Sequence, residues 1–235
     1  MTGRMAAAAV CVLMAQPAAA CRLALVLALD VSSSVDRAED RLQRQGLAAA
    51  LRAPDVAAAF FASDDPVAVH VFEWSGRYNQ ATVAKWTLVQ TPLDLQALAD
   101  AVAGSTRSHN DFPTALGYAL GHAAGVLERG PECLFRTVDV AGDGINNEGF
   151  GPAEAYAAFP FQGVTVNGLV VNAADFEGET ALIPFYRDEV IRGPGAFIEI
   201  ADSFQDYTDA MRRKLVRELG AQMMGSLPAA AGPRG

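Results

Sequence analysis

Short aliphatic runs alternate along the chain with stretches whose apolar positions recur at helical spacing. Strands are expected at residues 23–29, 67–74, 82–89, 135–140, 164–171 and 196–200, with helices between them. The run 23–29 is almost wholly apolar rather than alternating, the pattern of a central parallel strand covered on both faces. Strand then helix, repeated, predicts an α/β fold with a doubly wound, mostly parallel six-stranded sheet. Residues 67–74 and 82–89 are the exception, because the Ser-Gly-Arg-Tyr-Asn-Gln connection at 75–80 is too short for a crossover helix. They should form a hairpin, and the alternation around Lys85 suits an antiparallel edge strand.

Three helices are well marked. In the last, Ser203 with Asp206 reads as a capping box, Phe204, Tyr207, Met211, Leu215 and Leu219 form one face, and Gly220 ends it. Another starts near Pro113 and carries Leu116, Leu120, Ala123 and Leu127 toward Gly130-Pro131. A third follows Ser33, with Asp36 placed to complete its cap.

Residues 1–20 read as a targeting segment: Arg4, an apolar stretch over 5–14, Pro17, then Ala18-Ala19-Ala20 as a small-residue cleavage site. The apolar stretch is shorter than the ~20 residues of a membrane span, and no later stretch is longer. The expected organisation is therefore an exported single domain over 21–220, followed by an Ala/Gly/Pro-rich tail over 221–235, expected to be disordered. A periplasmic or secreted location follows. A lipid anchor on Cys21 is the competing reading, disfavoured because Ala18 stands where such signals carry a larger aliphatic residue.

Composition fits one core: 235 residues, 51% hydrophobic and 19% charged. Loss of residues 1–20 removes only Arg4 and moves the net charge from −9 to −10, which excludes nucleic acid as the natural partner. Cys11 leaves with the targeting segment, so Cys21 and Cys133 remain. They form either one disulfide or two separate buried thiols, and an oxidising compartment favours the bridge.

Chemistry gathers where strands end. The first strand runs into Asp30, Ser32, Ser33 and Ser34; the fourth runs into Gly142-Asp143-Gly144; Thr114 stands at the start of a helix. Ligands of open α/β sheets sit beyond the carboxyl ends of the central strands. Hydroxyls of Ser32, Ser34 and Thr114, with Asp30 and Asp143 binding directly or through water, suit a hard divalent cation such as Mg²⁺, with Mn²⁺ or Ca²⁺ as alternatives. One coordination position would remain for an incoming carboxylate. Asp-x-Ser-x-Ser alone is equally a helix cap. Asn146, Asn147 and Glu148 read as ordinary loop residues, and His109 and Asp111 as either the rim of the site or a solvated loop. His70, His122, Trp74 and Trp86 read as structural.

These residues resemble the von Willebrand factor type A domains. Asp30-Val-Ser32-Ser-Ser34 matches the Asp-x-Ser-x-Ser of their metal-ion-dependent adhesion site, Thr114-Ala-Leu-Gly is similar to the separate Thr segment, and Gly142-Asp143-Gly144 is similar to the usual Thr-Asp-Gly. Gly142 departs from that pattern at a position that is not a ligand. More narrowly, EWSG (73–76), GDGINNEG (142–149), VNGLVV (166–171) and GPGAF (193–197) are similar to a group of exported bacterial proteins carrying this domain, over about residues 21–220. The resemblance implies strand order 3-2-1-4-5-6, with Cys21 near Cys133, and a cation that binds an acidic side chain of a partner protein. It supplies no ligand identity.

The alternative is a metal-dependent hydrolase or phosphatase using Asp30 and Asp143. An aspartyl phosphatase needs a second acid where Ser32 stands, and the only lysines, Lys85 and Lys214, do not follow a central strand. No Gly-x-Ser-x-Gly, Cys-x-x-Cys, His-Glu-x-x-His or phosphate-loop motif occurs. A binding module fits the residues better than an enzyme.

Overall fold

Every residue of β1 (Cys21–Asp30) is buried, because helices cover both faces of the strand. Leu23, Leu25, Leu27 and Leu29 enter one core, while Ala24, Val26 and Ala28 enter the other. Truncating one of these leucines to alanine costs about 2–5 kcal/mol, by transfer plus cavity. The computed structural model describes residues 21–172 and 180–225. The proposed targeting segment 1–20 and the last ten residues of the tail lie outside the described residues.

Around β1 lie β2 (Val67–Trp74), β3 (Gln80–Val89), β4 (Cys133–Gly142), β5 (Val164–Val171) and β6 (Ile198–Ala201), in the order β3-β2-β1-β4-β5-β6. Only the β2–β3 hairpin is antiparallel. The sheet is the doubly wound one expected from the apolar runs. α1 (Arg37–Leu51), α2 (Pro54–Phe60), α3 (Pro92–Ala103) and α7 (Tyr207–Gly225) cover the leucine face of β1. α4 (Leu116–Glu128), α5 (Pro152–Ala158), α6 (Leu182–Phe185) and a π-helical turn over Tyr186–Val190 cover the other. None of these helices is long and apolar enough to cross a membrane.

Three helix boundaries differ from expectation, and two of them expose the site. Asp36, rather than Ser33, caps α1: its Oδ1 accepts from the N–H of Ala38 and Glu39, and Glu39 returns a bond to the Asp36 N–H. The serines stay in a turn ahead of the helix. α4 begins at Leu116, which leaves Pro113 and Thr114 outside it. In the third, Ser203–Asp206 forms a turn before α7, whose helical residues begin at Tyr207 and pass Gly220 to reach Gly225. A helical glycine costs about 1 kcal/mol, too little to stop a helix by itself, so 221–225 belong to α7 rather than to the tail.

Cys21 and Cys133 pair across β1 and β4, and a disulfide joins them with Cα atoms 4.6 Å apart. The bridge closes the amino ends of these two strands. Their carboxyl ends, at Asp30 and Gly142, carry the oxygen-rich loops.

Candidate metal centre

At the carboxyl edge of the sheet the five oxygen-bearing side chains form one connected group. Asp30 is wholly buried at the end of β1, and its Oδ1 accepts from the Ser32 N–H at 2.7 Å. Thr114 Oγ1 donates to Ser32 Oγ at 3.2 Å, the Ser32 and Ser34 hydroxyls lie 3.0 Å apart, and Ser34 Oγ donates to Asp143 Oδ1 at 2.6 Å. Asp30, Ser32 and Thr114 are buried, Asp143 is half-buried and Ser34 is exposed. The group therefore opens outward, into a cavity of about 220 Å³ lined by Ser34, Thr114, Asp143, Gly144 and Asn147.

Asp30 Oδ2 is buried with no hydrogen-bond partner among the described residues. A carboxylate oxygen in that position is expensive to keep ionised. Burial first, and then the Asp143 charge, hold the Asp30 carboxyl well above the usual carboxylate range. A hard cation satisfies both demands, since it supplies the missing partner and offsets the repulsion between two carboxylates. The residues present fit such an ion. Among the described residues no cluster of three His, Cys, Asp or Glu side chains exists, so a centre here depends on neutral hydroxyls.

Side chains that the residue pattern did not single out hold this group in place. Arg107 donates to the carbonyls of Val31, Ser32 and Val35 at 2.6, 3.0 and 2.5 Å, fastening the serine loop from outside. Gln43 donates to the Asp30 carbonyl at 2.9 Å. Asn147, a loop residue by sequence, accepts from the Thr114 N–H at 2.9 Å and returns its own N–H to the Thr114 carbonyl at 2.9 Å. Asn146 accepts from the Gly117 N–H in the first turn of α4. The signal for this pair was the Asn-Asn one residue after Gly142-Asp143-Gly144, since Asn side chains readily stand in for backbone groups in turns. Asp111, with φ 61°, and the carbonyl of Phe112, which accepts from Ser33, lie beside the serine loop. The His109 ring meets Phe112 edge-on at 5.9 Å, and neither His109 nor Asp111 joins the connected group.

The family model described as "Protein of unknown function (DUF1194)" matches residues 20–223. The chain belongs to that family. Among curated proteins, none matches this DUF1194 chain. Among solved structures it is similar to a von Willebrand factor type A protein from Catenulispora acidiphila, at 18% identity and TM-score 0.56, over 85% of this chain and 43% of that one. It is also similar to proximal thread matrix protein 1 from the mussel byssus, with a zinc-occupied MIDAS motif, at 18% identity and TM-score 0.58, over 86% and 49%. A third is the pilus adhesin SpaC from Lactobacillus rhamnosus GG, at 16% identity and TM-score 0.59, over 89% and 31%. This DUF1194 chain thus spans less than half the length of each, and its fold is that of von Willebrand factor type A domains.

In this DUF1194 chain Gly142 is set by what lies beside it. A Cβ on Gly142 would lie 2.6 Å from the Tyr186 hydroxyl and 2.9 Å from Asp30 Oδ2. The glycine is required because the tyrosine from the π-helical turn occupies that space. Tyr186 is fully buried, and burial, with Asp30 and Asp143 nearby, keeps its hydroxyl protonated.

Proposed function

We propose that Asp30, Ser32, Ser34, Thr114 and Asp143 hold one divalent cation, Mg²⁺ in the first instance, and that the ion binds an acidic group on a partner protein. The observation that carries this reading is the partnerless, buried Asp30 Oδ2 behind a connected set of hydroxyls. Neutral hydroxyl ligands leave the ion electrophilic toward a further carboxylate. The likeness to a pilus adhesin and to a matrix protein with a zinc-occupied site supports binding rather than turnover. In this reading residues 1–20 direct export, and the disulfide suits an oxidising compartment. The Cys21 sulfur, committed to Cys133, cannot at the same time carry a lipid thioether.

The test is thermal denaturation with and without Mg²⁺ or Mn²⁺. At about 100 times its Kd a bound ion stabilises by about 2.7 kcal/mol, or about 5–10 °C for a domain of this size. The wild type should show that shift and Asp30→Ala should not. Equal shifts in both would overturn the reading.

A further inference from the structure

The chain carries a net charge of −9, yet one groove on it is basic. A cavity of about 620 Å³ lies between α1 and the segment after α3, lined by Arg37, Arg41, Arg44 and Arg107 together with Asp40. It shares Arg37, Arg107 and Asn110 with a second cavity of about 260 Å³ that reaches Ser33 and Asp111. The two adjoin at these shared residues, and the smaller is lined by Ser33 and Val35 of the serine loop that enters the candidate metal centre.

Two of the four guanidinium groups have structural duties. Arg44 is buried, ion-paired to Asp40 at 2.9 Å and to Glu73, and donates to Ser105 Oγ. Arg107 spends its donors on backbone carbonyls, as described above, and on that of His109. Arg37 and Arg41 are different. Both are exposed, and among the described residues neither has a carboxylate within ion-pair distance. The nearby acids are Asp36, engaged as the α1 cap and lowered by the Glu39 and Ala38 N–H groups and in part by the Arg41 charge, Asp40, paired to Arg44, and Asp111 at the far end of the groove. Arg37 is the first residue of α1, where the helix dipole disfavours a cation, and Arg41 stands one turn further on.

Their spacing suits a particular ligand. Residues four apart on a helix place side chains about 5–6 Å apart on one face. Alternate side chains of an extended peptide repeat every ~6.7 Å. We propose that the groove is a second subsite for an extended acidic segment of the partner protein: one carboxylate meets the cation, and carboxylates at alternate positions further along meet Arg37 and Arg41. The inference rests on the cation-dependent binding proposed above and names the chemistry of the partner for the same site.

The experiment uses two fluorescein-labelled peptides, Gly-Ser-Asp-Ser-Asp-Ser-Asp-Gly and the same peptide with Asn for its last two acids. Each is titrated with the full chain in Mg²⁺ or in EDTA, and binding is read by anisotropy. In Mg²⁺ the three-acid peptide should bind about tenfold tighter than the single-acid peptide. That advantage should disappear in the Arg37→Ala/Arg41→Ala double variant, persist in Arg37→Lys/Arg41→Lys, and shrink with added NaCl. An advantage that survives the alanine double variant, or the absence of binding by either peptide, overturns the subsite. Three-acid binding that needs the arginines but persists in EDTA supports the groove and removes the cation reading instead. The double variant's Mg²⁺-dependent melting shift should match wild type, which separates loss of the groove from loss of the fold.

Discussion

Ser34 Oγ donates a 2.6 Å hydrogen bond to Asp143 Oδ1 across a separation of 109 residues. It joins the loop after β1 to the loop after β4, the two strands that lie side by side at the centre of the sheet. If both side chains serve one ion, their losses will not add. Ser34→Ala, Asp143→Ala and the double variant should each abolish the Mg²⁺-induced melting shift to the same extent. A double variant that loses the sum of two partial effects would show independent roles.

The disulfide is the opposite anchor of the same strand pair. It closes a loop of 112 residues, for which about 2–5 kcal/mol of stability is expected. Replacing Cys21 and Cys133 with alanine should cost that amount in urea denaturation. The Mg²⁺ shift should survive, because the ends of a ten-residue strand lie about 30 Å apart.

Lys214 is fully buried, with Nζ 2.6 Å from Asp139 Oδ1 and 2.7 Å from Glu218 Oε1. Asn167 donates to the same Glu218 oxygen at 2.6 Å. Two carboxylates thus share one ammonium, and burial outweighs Lys214 to carry Asp139 up to about 7. The folded state keeps a proton that the unfolded chain releases near pH 4. Stability from this group is therefore complete below about pH 4 and is lost as pH rises through about 7. Asp139→Asn should flatten that decline in denaturation curves taken from pH 4 to 8. Lys214→Met should cost about 3–5 kcal/mol at pH 8, because it strands buried charge.

His70 works in the other direction. Burial first, then His122 and Arg129, lower it to about 4, and neither ring nitrogen has a hydrogen-bond partner among the described residues. The neutral ring packs 5.5 Å from Trp86. Its contribution is present above about pH 6.5 and is lost as pH falls toward 4. His70→Phe should raise the melting temperature at pH 5 by a few degrees and leave it nearly unchanged at pH 8. An equal gain at both values would assign the effect to packing alone.

Much of the fold was legible along the chain. Short aliphatic-rich runs marked the parallel strands, almost wholly apolar only in β1, with β2 and β5 at the expected bounds, and a six-residue connection marked the hairpin. Asp30, Ser32 and Ser34 were legible as a group because their spacing is local. Their joining to Thr114 and Asp143 was expected because ligands of open α/β sheets sit beyond the carboxyl ends of the central strands, and the resemblance to a known family implied the same set. Helix starts were less legible: Ser33 and Asp36 compete as caps by residue type alone.

What the sequence determined by itself is which side chains must leave water and with what period, because that depends on neighbours a few residues away. Tertiary structure alone decided where the long polar side chains end. Arg107 grips the carbonyls of a loop more than seventy residues earlier. Asn147 aligns Thr114, Tyr186 fills the space above Gly142, and Lys214, on a helix face beside Met211 and Leu215, sits among carboxylates in the core. Each of these depends on which distant group the folded chain brings within about 3 Å, and a hydrogen bond or ion pair of that length has no period along the chain.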